Sequence, residues 1–163
     1  MKPLSKALLA AYLITLAWLV LFKFSYDVYS VLLSYQARSL NLVPFAASSP
    51  GDIRGMIDNL VVFIPFGLLL SANFKQATRW RKLTFIFIFS LSAEVIQFAL
   101  AIGTTDINDV IANTLGGLIG LTLYDVMKRY IDDKKLDQFI VVTGTALLIL
   151  VMLLRVLVFR VKY

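Results

Sequence analysis

The chain contains neither cysteine nor histidine. Disulfides, thiolate nucleophiles, zinc sites built from those ligands, haem ligation and Ser-His-Asp catalysis are therefore all excluded. Acidic residues are few, ten against sixteen basic ones, which leaves a net charge of +6. A basic balance can signal nucleic acid, but here the lysines and arginines cluster in short segments between apolar runs, as cytoplasmic loops do. The distribution argues for no nucleic-acid partner.

Apolar residues make up 60% of the 163 positions, and the mean hydropathy is +0.83. A soluble domain of this size would not stay in solution with several long uncharged runs, so the composition points to an integral membrane protein whose partner is the lipid bilayer. The expected fold is an all-α helical bundle, a single transmembrane domain over residues 1–163. A hydrocarbon core about 30 Å thick needs roughly 20 helical residues. Five runs meet that length: residues 7–24, 56–72, 83–102, 106–127 and 139–159. The first could be a signal peptide, but it is long and ends in Phe22-Lys-Phe-Ser-Tyr26 rather than a small-x-small site, so it is read as retained.

Positive residues stay on the cytoplasmic side. Lys75, Arg79, Arg81 and Lys82 crowd the connection between the second and third runs, whereas the 103–105 connection has no basic residue. This places the N terminus, the 75–82 loop and the 128–135 loop in the cytoplasm, with 25–55 and 103–105 outside. Val28, Val31, Leu32 and Tyr35 repeat at helical spacing, so part of the outer segment is expected to extend the first helix or lie along the interface. Asn41-Leu-Val-Pro44-Phe45 and Ser48-Ser-Pro50-Gly51-Asp52 read as turns.

Polar residues inside these runs mark the candidate site, because an ionisable group at bilayer depth is expensive unless it faces a protein interior. At 100° per residue, Asp106, Asp109, Ala112, Asn113, Gly116, Gly117 and Gly120 share one side of the fourth run. Ser90, Glu94, Gln97 and Ala101 share one side of the third. The small residues Ala112, Gly116 and Gly120 let another backbone approach, which turns this face toward a helix rather than lipid. A rise of 1.5 Å per residue puts Glu94 and Asn113 at similar depth, about 10 Å below the outer helix ends. Asp58 and Asn59 open the second run on the same side, and Pro65 removes a helical bond from the carbonyl of Val61. An outward-facing pocket is therefore expected from Asp58, Asn59, Glu94, Gln97, Asp106, Asp109 and Asn113, with Asn41, Arg38 and Arg54 as outer-segment contributors. Asp58 and Asp106 also fall where a helix N-terminal cap would sit.

Four ordered motifs carry a family resemblance. They are Asn41-Leu-Val-Pro44-Phe45, Asp58-Asn-Leu-Val-Val-Phe-Ile-Pro-Phe-Gly67, Ser92-Ala-Glu94-Val-Ile-Gln97 and Thr105-Asp-Ile-Asn-Asp109-Val-Ile-Ala-Asn113-Thr-Leu-Gly116-Gly. Together, over roughly residues 40–124, they resemble the VanZ-like family. Many relatives carry an arginine shortly after the third run, where this chain has Thr104-Thr105; Arg38 or Arg54 would have to take that place. The resemblance implies a small multi-pass protein of the bacterial cytoplasmic membrane, named after a member associated with low-level resistance to teicoplanin.

Three functional classes remain open on the residues. Carboxylates without bases in the same helices disfavour an anion, which points to a protein that engages an amine, a metal cation or a cationic part of an envelope-active compound such as a glycopeptide. An enzyme would use Glu94 and Asp109 as acid and base on a lipid-linked envelope substrate, or hold a divalent cation as cofactor with Glu94, Asp106 and Asp109. Oxygen ligands would favour Mg²⁺, Ca²⁺ or Mn²⁺. A transporter would relay protons or ions through Glu94. Oligomeric state and ligand identity are not set by the residues.

Overall fold

The computed structural model describes residues 2–22, 39–45, 50–102 and 104–162, with residues 2, 39, 50–52, 104 and 151–162 described by their backbone alone. The element order is α1 (Lys2–Leu21), β1 (Ser39–Asn41), α2 (Pro50–Asn73), α3 (Arg79–Leu100), β2 (Thr104–Asp106), α4 (Ile107–Met127) and α5 (Asp133–Lys162). Among the described residues, the segments Pro3–Leu21, Ile53–Asn73, Arg79–Leu100 and Ile107–Met127 are long and apolar enough to cross a membrane. The protein is a helical membrane bundle. The fifth apolar run lies on the 30-residue helix α5. The expected interfacial helix around Val28, Val31, Leu32 and Tyr35 falls outside the described residues.

Two boundaries differ from the hydropathy reading, each for a local reason. The stretch Pro50-Gly51-Asp52 forms the first turn of α2 rather than a free turn, because proline has no N–H to lose at a helix start and its fixed φ suits that position. Asp58 consequently sits more than two turns inside α2 and caps nothing. At the end of α3, Ala101 takes a left-handed conformation (φ 54°, ψ 37°). The N–H groups of Ala101 and Ile102 then return to the carbonyls of Phe98 and Gln97, at 3.3 and 3.1 Å. This closes the helix without the glycine that such an ending usually takes.

Helices α2 and α4 form the centre and run parallel. A Cβ placed on Gly116 would strike the carbonyl oxygen of Leu60, and one on Gly120 would strike that of Ile64. The two residue pairs advance together by four positions, so the backbones touch along one register for more than a turn. This is the close approach that the small-residue stripe permits. Gly117 faces the other way, against the side chain of Ile86 on α3. Phe63 and Phe66, both fully buried, pack with Phe85 and Phe89 at ring separations of 5.4 to 6.2 Å.

Helix α1 runs antiparallel to α2. Asn73 donates to the carbonyl of Ser5 at 3.3 Å, and the Tyr12 hydroxyl donates to the carbonyl of Val62 at 2.6 Å. The latter lies one residue beyond the Val61 carbonyl that Pro65 leaves without its helical donor. At the same end as Ser5 and Asn73, the two basic loops meet. Lys75 pairs with Asp137 at 2.6 Å and with Asp133 at 3.4 Å, and Lys128 reaches Asp133 at 3.5 Å. Burial lowers the Lys75 pKa, but the hydrogen bond and charge of Asp137 with the nearby Tyr124 outweigh it, and the net shift is upward. The N terminus and both basic loops therefore share one end of the bundle, and the strands occupy the other.

Candidate functional site

The strand end is built around a connection that folds back into the bundle. Strand β1 pairs parallel with β2, Ser39 opposite Thr104, Leu40 opposite Thr105 and Asn41 opposite Asp106. The backbone N–H of Asp106 donates to Glu94 Oε2 at 3.0 Å, and the Thr105 hydroxyl donates to the Glu94 carbonyl at 3.4 Å. Since α3 continues six residues past Glu94, β2 lies roughly 9 Å back along the helix from its end. Irregular backbone at that depth is stable only when its polar groups are met by protein. Glu94 and the partner strand meet them here.

Asp106 is the hub of this arrangement. As the N-cap of α4 it accepts from the N–H of Asn108 at 2.8 Å. It also accepts from the Asn41 side-chain amide, with Oδ1 and Oδ2 both 3.3 Å away. Asn41 in turn accepts from Val43 N–H through its own oxygen at 3.2 Å, and Asn108 accepts from Phe45 N–H at 2.9 Å. The 41–45 turn is thus fastened to α4 at both ends, with Phe45 at a φ of 58°.

Deeper in the bundle, Asn113 donates to the Ser90 hydroxyl at 2.9 Å. Both residues are fully buried. The equal-depth pairing expected of Glu94 and Asn113 is therefore displaced by a turn: Asn113 meets Ser90, and Glu94 meets the start of α4. The fold-back of β2 is the cause, because it lowers the start of α4 to the level of Glu94.

Gln97 has a role that helical phase did not suggest. Its side-chain amide donates to the carbonyls of Val20 and Leu21, at 3.0 and 3.2 Å, two of the last carbonyls of α1, which have no helical donor among the described residues. Gln97 is therefore a cap supplied by one helix to another. Its remaining oxygen, like Oδ1 of Asn113, is buried and has no hydrogen-bond partner among the described residues.

The structure brings Glu94, Gln97, Asp106, Asp109, Asn113 and Asn41 to one end of the bundle. Asp109 is buried in the first turn of α4, where the helix dipole favours a carboxylate. Asn59 is buried and Asp58 half-buried on α2; the α2–α4 register puts them level with Thr114 and Leu115, deeper than a pocket mouth. Arg54 is exposed near the start of α2, and Arg38 lies outside the described residues. Ser90, Thr105 and Asn108 join the cluster unannounced, although Ser90 was legible from its place on the Glu94 face. No three carboxylates among the described residues lie close enough to hold a metal ion. The trio Glu94, Asp106 and Asp109 is not gathered, because the Asp106 carboxylate turns toward Asn41 and Asn108 while Glu94 takes its backbone.

The model of the family described as VanZ/LLP1 matches residues 9–128, which span α1 through α4 and every motif in this cluster. The chain belongs to the VanZ/LLP1 family. It is 52% identical over 154 residues to Protein VanZ of Enterococcus faecium, covering 94% of each chain. No solved structure matches. In this VanZ/LLP1 chain, the matched segment holds both the parallel α2–α4 core and the fold-back that Glu94 secures.

Proposed function

We propose that the protein resides in the bacterial cytoplasmic membrane with its strand end outward, and lowers the action of teicoplanin-type glycopeptides through the polar layer formed by Glu94, Asp106, Asp109 and Asn113. The observation that carries this reading is the position of that layer, at the end opposite the two lysine-rich loops. Cytoplasmic retention of basic loops directs the layer to the face where envelope-active compounds arrive. The match to Protein VanZ of Enterococcus faecium supports the family resemblance on which the link to teicoplanin tolerance rests. Chemically, a layer of carboxylates and amide oxygens suits a cationic or donor-bearing group and disfavours an anion.

The test is survival on teicoplanin of cells expressing the wild type, Glu94→Gln or Asp109→Asn, with membrane levels matched by immunoblot. Loss of tolerance in both variants is expected. Unchanged tolerance in both would sink the role of the layer.

A further inference from the structure

The 41–45 turn is chemically unlike the connections at the other end of the bundle. There the exposed positions include Gln76, Arg79, Lys128, Arg129 and Lys134, side chains that water and lipid headgroups favour. Here they are Leu42, Val43, Pro44 and Phe45, and Leu42, Val43 and Phe45 are each more than 60% exposed. A run of apolar side chains standing clear of the protein marks a contact surface for something other than water.

The backbone of the turn points the same way. Val43 N–H donates to the Asn41 side-chain oxygen at 3.2 Å, Phe45 N–H donates to that of Asn108 at 2.9 Å, and Pro44 has no N–H to satisfy. Water would meet open donors at little cost, so an aqueous turn needs no such provision. In hydrocarbon an open donor is strongly unfavourable, and every one must find a partner within the protein.

Depth decides between the two surroundings. On α3 the basic residues Arg79, Arg81 and Lys82 mark one edge of the hydrocarbon, and the helix from Leu83 to Leu100 then rises about 27 Å, close to the full thickness of about 30 Å. Its end therefore lies near the opposite edge, and Glu94 lies roughly 9 Å inside it. Asp106 N–H rests on Glu94, Asn41 is paired with Asp106, and Phe45 is held by Asn108, on a helix that runs away from this end. The turn thus sits at about the level of Glu94, within the hydrocarbon.

We propose that the 41–45 turn re-enters the membrane, with Leu42, Val43 and Phe45 packed against phospholipid acyl chains of the leaflet at the strand end. Asn41, which bonds both the turn and Asp106, is then the joint between a lipid-facing loop and the polar layer. The inference is independent of the tolerance reading, which concerns the polar layer alone.

Native cysteine is absent, so a nitroxide spin label can be placed at a single position of the full chain in phosphatidylcholine vesicles. Val43→Cys reports the turn, Gln76→Cys is the aqueous reference, and Val95→Cys is the lipid reference, since Val95 adjoins Glu94 and is 59% exposed. Power saturation then compares collisions with oxygen, which partitions into hydrocarbon, and with a neutral nickel chelate, which stays in water. The oxygen-to-nickel ratio at Val43 is expected to match that at Val95 and to exceed that at Gln76 severalfold. Should the label at Val43 lower the helical circular dichroism of the protein, Leu42→Cys carries the test, because neither side-chain bond uses the Leu42 N–H. A ratio like that of Gln76 overturns the proposal. So does a low collision rate with both reagents, which would mean that protein and not lipid covers the turn.

Discussion

Gly120→Ala should be among the most damaging single-methyl changes in this protein. The new Cβ would strike the Ile64 carbonyl oxygen and stand 3.0 Å from the Gly67 Cα and 3.1 Å from the Ile64 carbonyl carbon. All three obstacles are backbone and cannot rotate away. Restoring ordinary carbon contacts of about 3.5–4 Å requires α2 and α4 to part by roughly 0.5–1 Å, which forfeits a quarter to a half of the dispersion energy along their contact. Overpacking of this kind costs about 1–3 kcal/mol. Gly55 is the internal control, because a Cβ there meets nothing within 4 Å and alanine should gain up to about 1 kcal/mol of helix propensity. The propensity gain is common to both helical sites, so the two variants should differ by about 1–3 kcal/mol. Far-UV circular dichroism during unfolding of the purified protein in mixed micelles by dodecyl sulfate would measure this. Gly144→Ala should fall near the control, since its nearest obstacle is the mobile end of Leu8 at 3.3 Å. If Gly120→Ala unfolds at the same denaturant fraction as Gly55→Ala, the parallel α2–α4 contact is not what holds the bundle.

Two further outcomes follow from the same geometry. Gln97→Leu removes the donor to Val20 and Leu21 and should cost about 1–3 kcal/mol, seen as faster amide hydrogen exchange confined to the end of α1; protection equal to wild type would refute the cross-helix cap. Because native cysteine is absent, a membrane-impermeant maleimide can report sidedness: in intact cells Arg54→Cys should be labelled and Gln76→Cys should not. The reverse pattern would turn the polar layer to the cytoplasm and end the proposed function.

Helical phase alone makes the buried faces of α3 and α4 readable in the sequence. Ser90, Glu94 and Gln97 on one helix, and Asp109, Ala112, Asn113, Gly116, Gly117 and Gly120 on the other, are all buried. Val110 is an exception, buried although its phase points away from that stripe. The strands themselves were illegible: three residues each, they show no alternation long enough to detect, and their pairing spans 65 positions of sequence. The Ala101 helix ending was equally hidden, since it lacks the glycine that marks such a turn. Depth estimates failed for that reason. They assumed that the chain leaves the helix end and returns at the same height, whereas it folds back along α3 first.

That fold-back decides what a substitution at position 94 can mean. Glu94 does two jobs: it places an ionisable carboxyl in the bundle, and its Oε2 secures the N–H of Asp106. Glutamine keeps an oxygen of nearly the same placement and so can still accept from Asp106, while the capacity to ionise is gone. Leucine removes both, and frees β2 together with the N-cap of α4. A defect in Glu94→Gln is therefore a statement about the ionisable group in the layer, whereas a defect in Glu94→Leu reports mainly the loss of an anchored strand. The isosteric variant belongs in the tolerance assay because, of the two, it can lose function with β2 still anchored.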